Sequence, residues 1–378
     1  MLAKRSPHAT HGIPLTELTQ HGAHVLTVCN ACRYCEQYCP VFPAMERRMS
    51  FGPADLAYLA NLCHNCGECL YSCQYAPPHE FGINVPRTLA QIRIQSYEDL
   101  CWPSAMGAAF RRHGLLTSVA LAGGFAAMLA VALWVANPAA LWPEDGTGNF
   151  YGVMPHGVMV GVFGAVAAFV LFAMGVGLVR FRRLLRDAAV APTPTGWRSL
   201  ARAVSDALTL RHLHRPDGDC VSAEETRRPW RRWFHHATLY GFGLCFASTS
   251  VAALYHLVFD WPAPYAYTSL PVVLGTAGGV GLIVGPLGLF VLSRRRDPAL
   301  GDPEQTGLGD GFIALLLTTS ITGMALLALR HQPIMGPLLV VHLGAVLALF
   351  VTLPYGKFVH GIYRLAALIT SAQETAGD

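Results

Sequence analysis

The apolar positions of this chain gather into six long runs, at about 115–136, 155–179, 237–259, 270–292, 311–329 and 337–358. Each is close to the ~20 residues that an α-helix needs to cross a ~30 Å hydrocarbon core. Buried helices of a soluble protein rarely run so long without a charge, so the runs predict six transmembrane helices. Residues 1–114 before them are polar and cysteine-rich. Inside that stretch Pro53 to Leu62 predicts a helix, with Pro near its start and apolar residues at Leu56, Leu59, Ala60 and Cys63. The chain thus divides into a head (1–114), a six-span domain (115–364) with an insertion at 180–236, and a tail (365–378). Within the insertion, Gly196–Arg211 reads either as an amphipathic helix lying on the membrane surface or as a solvated connector.

Basic residues orient the spans. Nine Lys or Arg precede the first span, twelve lie from Arg180 to Arg232, Arg294, Arg295 and Arg296 follow the fourth span, and Lys357 and Arg364 end the sixth. Of the 27 basic residues, only Arg330 falls on the other side. That division places both termini in the cytoplasm and requires an even number of spans. The expected location is the inner (cytoplasmic) membrane. Residues 1–28 hold no apolar core followed by a small-residue cleavage site, so no secretory signal is expected.

Composition agrees with this reading. Apolar residues make up 53% and charged residues 13%, against roughly 25% charged in soluble proteins. The net charge of +4 is small, and no basic patch interleaved with aromatics points to nucleic acid.

Eight of the eleven cysteines fall between Cys29 and Cys73. Cys29, Cys32, Cys35 and Cys39, followed by Pro40, spell C-x2-C-x2-C-x3-C-P, the run used for [4Fe–4S] clusters. Cys63, Cys66, Cys69 and Cys73 repeat the spacing without the Pro. Three closely spaced thiolates can wrap one cubane, and the fourth ligand then comes from the other motif. This assigns Cys29, Cys32, Cys35 and Cys73 to one cluster, and Cys63, Cys66, Cys69 and Cys39 to the other. Structural zinc sites favour paired C-x2-C units without a regular third and fourth cysteine. A cytoplasmic head also disfavours disulfides. Cys101, Cys220 and Cys245 read as packing residues.

Histidines inside a bilayer are costly and usually functional. If the sixth run is one helix, His342 and His360 lie 18 residues apart on one face, with a rise of about 27 Å. The third run begins with His235 and His236, ends near His256 and runs antiparallel to the sixth. Two pairs follow, with His235 or His236 near His360 and His256 near His342, suited to the axial positions of one or two b haems. At about 100° per residue, His235 shares a face with His256 more closely than His236 does. His156, opening the second span, competes for the outer position. End-of-span histidines such as His236, His331 and His360 also suit the headgroup region. Lys357 is a candidate for quinone contact or a simple positive anchor.

No P-loop and no G-x-G-x-x-G after a strand is present, so neither nucleotide nor flavin binding is expected of the chain itself. Gly275-Thr-Ala-Gly-Gly-Val-Gly281 reads as close helix packing. No catalytic residue is assigned.

Two cysteine quartets followed by six spans, with Phe234-His235-His236-Ala-Thr-Leu-Tyr240-Gly-Phe and Tyr255-His256, resemble the tricarballylate-utilisation protein B family, also called the citrate-utilisation B type. The likeness covers nearly the whole chain. It implies an all-α fold, a helical dicluster ferredoxin-like head on a cytochrome b-like bundle. Members are similar to the C-terminal part of a fused flavin, haem and iron–sulfur enzyme of cobalamin synthesis. The implied role is to reoxidise the flavin of a soluble FAD-dependent dehydrogenase and pass electrons to quinone in the membrane. His342-Leu-Gly and Pro354-Tyr-Gly-Lys357-Phe-Val-His360 also resemble cytochrome b subunits of nitrate and heterodisulfide reductases. The competing readings are therefore a membrane subunit of a heterodisulfide- or sulfur-type reductase, and a redox-sensing membrane protein.

Overall fold

A computed structural model describes residues 16–142, 148–188, 196–213 and 229–376; Cys220 lies outside them. No strand occurs among the described residues. The head is built from α1 (Glu17–Cys32), α2 (Val41–Glu46), α3 (Pro53–Leu62), α4 (Glu68–Tyr71) and α5 (Val85–Leu100). Local chemistry sets their starts. The Thr16 side chain caps α1 by accepting from the Thr19 N–H. Pro53 opens α3, where a missing N–H costs nothing, and the Asp55 carboxylate accepts from the Gly52 N–H at 3.0 Å. The helix expected from Pro53 to Leu62 is present with those bounds.

Helix α6 (Ser104–Ala136) leaves the head and kinks at His113 (φ −139°, ψ 42°), at the boundary between polar head and apolar domain. A short α7 (Phe150–Val153) precedes α8 (His156–Ala188). After α9 (Trp197–Leu208) come α10 (Trp230–Phe259), α11 (Leu270–Arg295), α12 (Pro303–Leu329) and α13 (Met335–Thr352). The six long helices α6, α8 and α10 to α13 are long and apolar enough to cross a membrane. Side chains such as Leu116, Val131, Leu171, Phe246, Leu257 and Val273 face outward, an apolar surface of the kind that meets lipid or another protein. Most of the apolar stretch of α13 is buried, and none of that of α10 is. So α13 is the central post, packed against α6, α8 and α12, while α10 packs mainly on α11.

The α10–α11 contact depends on glycine. A Cβ at Gly278 would sit 2.7 Å from Cys245 Sγ, and one at Gly241 would sit 3.0 Å from the Gly278 oxygen. The glycine-rich stretch of α11 is therefore helix packing, and Cys245 packs with it. Cys101 is buried and donates its S–H to the Glu98 oxygen.

The sixth apolar run is not one helix, which corrects the sequence reading. Helix α13 ends at Thr352, and a new helix, α14 (Val359–Ala376), begins after a turn. Pro354 lacks the N–H that would extend the ladder, and the N–H groups of Tyr355 and Gly356 both return to the Thr352 oxygen. His342 and His360 thus sit on different helices, so counting turns between them has no meaning. The tail expected at 365–378 is, through Ala376, part of α14, which packs against the head, α8 and α9.

Head and helix ends share one core. Leu26, Phe42, Met45, Leu56, Leu59 and Leu62 join Phe181 and Leu184 of α8, Leu308 of α12 and Tyr363, Ala367 and Leu368 of α14. A buried polar network adds direction. Arg48 donates to Asp55 and Glu374, both at 2.8 Å, and to the Ala188 oxygen at 2.7 Å, while the Tyr58 hydroxyl donates to Glu374. Buried ions held this way satisfy one another, and removing one partner strands the rest. At the far end Arg330, the single basic residue that broke the charge pattern, is buried. It donates to the Tyr265 oxygen at 2.7 Å and lies 3.8 Å from the Tyr267 ring centroid. It clasps two far-side connections and is not a loop charge.

Candidate metal centres

Each cysteine quartet is shaped by backbone bends. Helix α1 carries Cys29 and Cys32, then reverses at Arg33 in the left-handed region (φ 53°). In the second motif Asn65 (φ 52°) and Gly67 (φ 99°) turn the chain between Cys63 and Cys69. At Gly67 any side chain would also strike Leu300 at 2.8 Å, so glycine is required twice over.

Two neighbouring cavities result. Cys29, Cys32, Cys35 and Cys73 line one, with Tyr34 and Gln74 at its mouth. Cys39, Cys63, Cys66 and Cys69 line the other, and Cys69 also borders the first. The fourth thiol of each motif thus lines the cavity of the other. Burial, and after it the nearby Cys73, Cys35 and Cys32, push the Cys29 thiol up to about 12. Burial and then Cys66 and Cys63 raise Cys39 well above the usual thiol range. Such sets ionise together only around a compensating cation. Among the described residues no three His, Cys, Asp or Glu converge on a single-ion site, whereas each cavity presents four thiols around a larger space. The donor set fits a four-iron cluster better than one zinc ion.

The histidines fall at two ends. On the head side the His235 ring of α10 and the His360 ring of α14 have centroids 5.9 Å apart. Two metal–imidazole bonds of ~2 Å fit between nitrogens of rings so spaced. The His360 Nδ1 meets the Lys357 oxygen. A carbonyl only accepts, so Nδ1 carries the proton and Nε2 is left with a lone pair, as metal-binding histidines require. His236 instead packs beside Tyr240, with ring centroids 5.6 Å apart. At the far end the His256 ring lies 3.9 Å from His156 and 5.4 Å from Tyr151. His342 faces α12, its Nδ1 3.0 Å from the Thr322 hydroxyl. The structure therefore sets His256 against His156, the competitor, and gives His342 a different neighbour. Rings 3.9 Å apart touch and leave no room for an iron between them.

Arginines connect the second cysteine motif to the head-side histidines, and sequence reasoning missed them. Arg231, one turn before His235, donates to the oxygens of Asn65 (2.9 Å) and His64 (3.2 Å). Arg364, one turn after His360, donates to the Cys63 oxygen at 2.8 Å. Arg296, just past α11, reaches Asn65, and Arg93 of α5 reaches the Ala60 oxygen at 2.9 Å. The sequence signal was the paired i, i+4 spacing of Arg231–His235 and His360–Arg364. Burial, then Arg364, lowers His64 well below the ordinary imidazole range, so its ring is neutral. Helix α9 is formed, lies beside α14 and leaves Trp197 exposed.

A family model described as citrate utilization protein B matches residues 110–378, and one for its Fer4-like domain matches residues 22–99. The citrate utilization protein B of Escherichia coli is 47% identical over 361 residues, covering 95% of this chain and 93% of that protein. The chain belongs to the citrate utilization protein B family. No solved structure matches it. The Fer4-like match covers both quartets and stops at the end of α5, and the second match begins within α6. For a family member with this domain, the two thiol-lined cavities are consistent with iron–sulfur electron transfer. The six apolar helices are compatible with a multi-pass protein in contact with lipid.

Proposed function

We propose that this protein takes electrons from a soluble flavin-dependent dehydrogenase of tricarballylate or citrate metabolism and delivers them to quinone. The cysteines would hold two [4Fe–4S] clusters and the histidines a b haem. The observation that carries this reading is the chain of attachment from thiols to histidines: the loop holding Cys63 and Cys66 is gripped by Arg231 and Arg364, which flank His235 and His360. When bound, clusters and haem each accept and release one electron at a time. The cysteines hold iron and keep the two clusters adjacent. The first cavity, with Tyr34 and Gln74 at its mouth, is the entry side for a docked flavoprotein. His235 and His360 would supply nitrogens to the haem iron, and the Lys357 oxygen holds His360 in the tautomer suited to that role. The touching His156 and His256 rings give a second haem no comparable support, so one haem is proposed, on the head side. The charge division of the loops supports a cytoplasmic head and cytoplasmic termini at the inner membrane.

Anaerobically purified protein should contain about eight irons and eight acid-labile sulfides per chain, and dithionite should give the sharp bands of low-spin, bis-histidine haem. Reduced dehydrogenase should then bleach the clusters and form quinol. Stoichiometric zinc without labile sulfide would end the cluster reading. Quinol formation without haem absorption would show that the clusters alone feed a quinone near the head. Cluster reduction without quinone turnover would favour a redox sensor. A reporter fused after Asp378 should work only in its cytoplasmic form.

A further inference from the structure

The two cysteine cavities have different surroundings. Tyr34 and Gln74 are exposed at the mouth of the first. The second is closed in, with Leu300 packed against Gly67 and with His64 and Asn65 of its lining buried. The lining of the second also includes a carboxylate, Glu68. Each cavity receives an N–H at a ligand sulfur. The Gln74 side chain donates to Cys32 at 3.8 Å, and the Asn65 backbone donates to Cys63 at 3.3 Å. Those bonds do not tell the cavities apart.

Reduction adds a negative charge to a cluster, so its potential follows local charge, hydrogen bonds to the sulfurs and exposure to water. Water at the mouth of the first cavity favours the reduced form there. Burial and a neighbouring carboxylate disfavour it in the second. On those effects alone an electron arriving at the first cluster would stay there, and the relay would stop at the surface. A fixed cation beside the second cavity reverses the balance, most strongly where the dielectric is low.

Arg364 of α14 is placed to do this. Its guanidinium donates to the Cys63 oxygen at 2.8 Å and to the Asn61 oxygen at 3.4 Å. Arg231 and Arg296 reach the same loop at His64 and Asn65, whereas Arg364 binds the carbonyl of a cysteine. It also follows His360 by one turn, so the helix that carries this histidine delivers the charge to the cysteine loop.

We propose that Arg364 sets the direction of electron flow through the head: its guanidinium raises the potential of the second cluster, so that an electron entering at the first moves on toward His235 and His360. The proposal rests on the two-cluster reading above and adds the residue that makes the second cluster the better acceptor. A guanidinium suits the task because it stays charged at every working pH.

The test is an anaerobic redox titration of full-length protein, followed by low-temperature EPR of the reduced clusters, with iron and sulfide measured in every variant. Cys66→Ser identifies the signal of the second cluster by removing it. Arg364→Gln should lower that cluster's potential by about 59 mV or more, a tenfold or greater loss in its reduced-to-oxidised ratio for a one-electron couple. The first cluster should not move. Arg364→Lys keeps the charge and should restore the wild-type value. No shift in Arg364→Gln, or an equal fall of both clusters, would overturn the role. So would a fall that Arg364→Lys shares, because that is the mark of a structural change. If Arg364→Gln fails to hold iron, Arg364→Lys decides: a wild-type potential supports the charge, and a fall overturns it. A second cluster that lies below the first in wild-type protein would also overturn the proposal and leave the cluster reading standing. Protein without two reducible clusters would overturn the cluster reading and this inference with it.

Discussion

The two ends of the helical bundle both bring histidine rings together from different helices, yet they are built differently. At the head end His235 and His360 stand 5.9 Å apart, one of them is fixed by a backbone oxygen, and arginines tie both helices to the second cysteine loop. At the far end His156 and His256 touch at 3.9 Å, His342 faces another helix, and the polar anchor is Arg330 gripping the Tyr265 oxygen. The difference teaches that histidines near membrane boundaries are not equivalent sites. What separates them is the surrounding support: a space between the rings and a route to the neighbouring centre.

The largest effect that can break this comparison is His360→Ala. It should abolish the haem bands and cut quinol formation by more than the ~10–100-fold cost of losing an outer-shell partner, while reduced dehydrogenase still bleaches the clusters. If haem survives that substitution and disappears in His256→Ala, the two ends must exchange roles. Next comes Glu374→Ala, which strands the buried Arg48 and should cost about 3–5 kcal/mol, read as a lower unfolding midpoint together with loss of cluster absorbance. The corresponding change at the far end, Arg330→Met, removes one charged hydrogen bond and one ring contact and should cost about 1–3 kcal/mol, with clusters and haem retained.

A smaller effect belongs to the head end alone. Burial, and then Glu98, raise Asp99 from 3.8 to about 7, and Arg111 opposes them. The folded state therefore binds this proton more tightly than the unfolded state does. Its contribution favours folding below the ordinary carboxylate range, declines as pH rises towards about 7 and is lost above that. Asp99→Asn should flatten the fall in thermal midpoint between about pH 4 and pH 7, the window of the shift; an unchanged slope would remove Asp99 from the account. Smallest of all should be His156→Ala, with haem content and quinol formation within about twofold of wild type, as for most changes outside a site. A clear loss of a second haem band there would show that the far-end rings part to hold iron.

Much of this was legible because it is local. Cysteine spacing needs only a few bonds of chain to bring thiols together, and Cys73 does line the cavity of the first motif. Apolar runs reported the helices because every backbone group in lipid must pair within its own segment. Gly278 and Gly281 reported close packing because nothing larger fits. The break after Thr352 was hidden by the apolar residues that continue through Leu353, Tyr355 and Phe358, although Pro354 was a warning. Which far-end ring meets His256 depends on how α8 stands beside α10, and no single segment encodes that. The reach of Arg231 and Arg364 was invisible for another reason: near a membrane, basic residues already have an explanation in the loop charge rule, and a side chain serving two purposes looks like one serving the first.

The pairing of Arg48 with Glu374 spans 326 residues, which gives the head a history as well as a shape. During synthesis the cysteine motifs emerge first, but the helix that completes their core is the last to appear. At ~5–20 residues per second the unfinished head waits on the order of tens of seconds while the six apolar helices are made. During that interval Arg48 and the core face of α3 lack their partners on α14. A ribosome that stalls before α14 would leave a charged, half-closed head beside six finished apolar helices, a product suited to recognition by quality-control proteases.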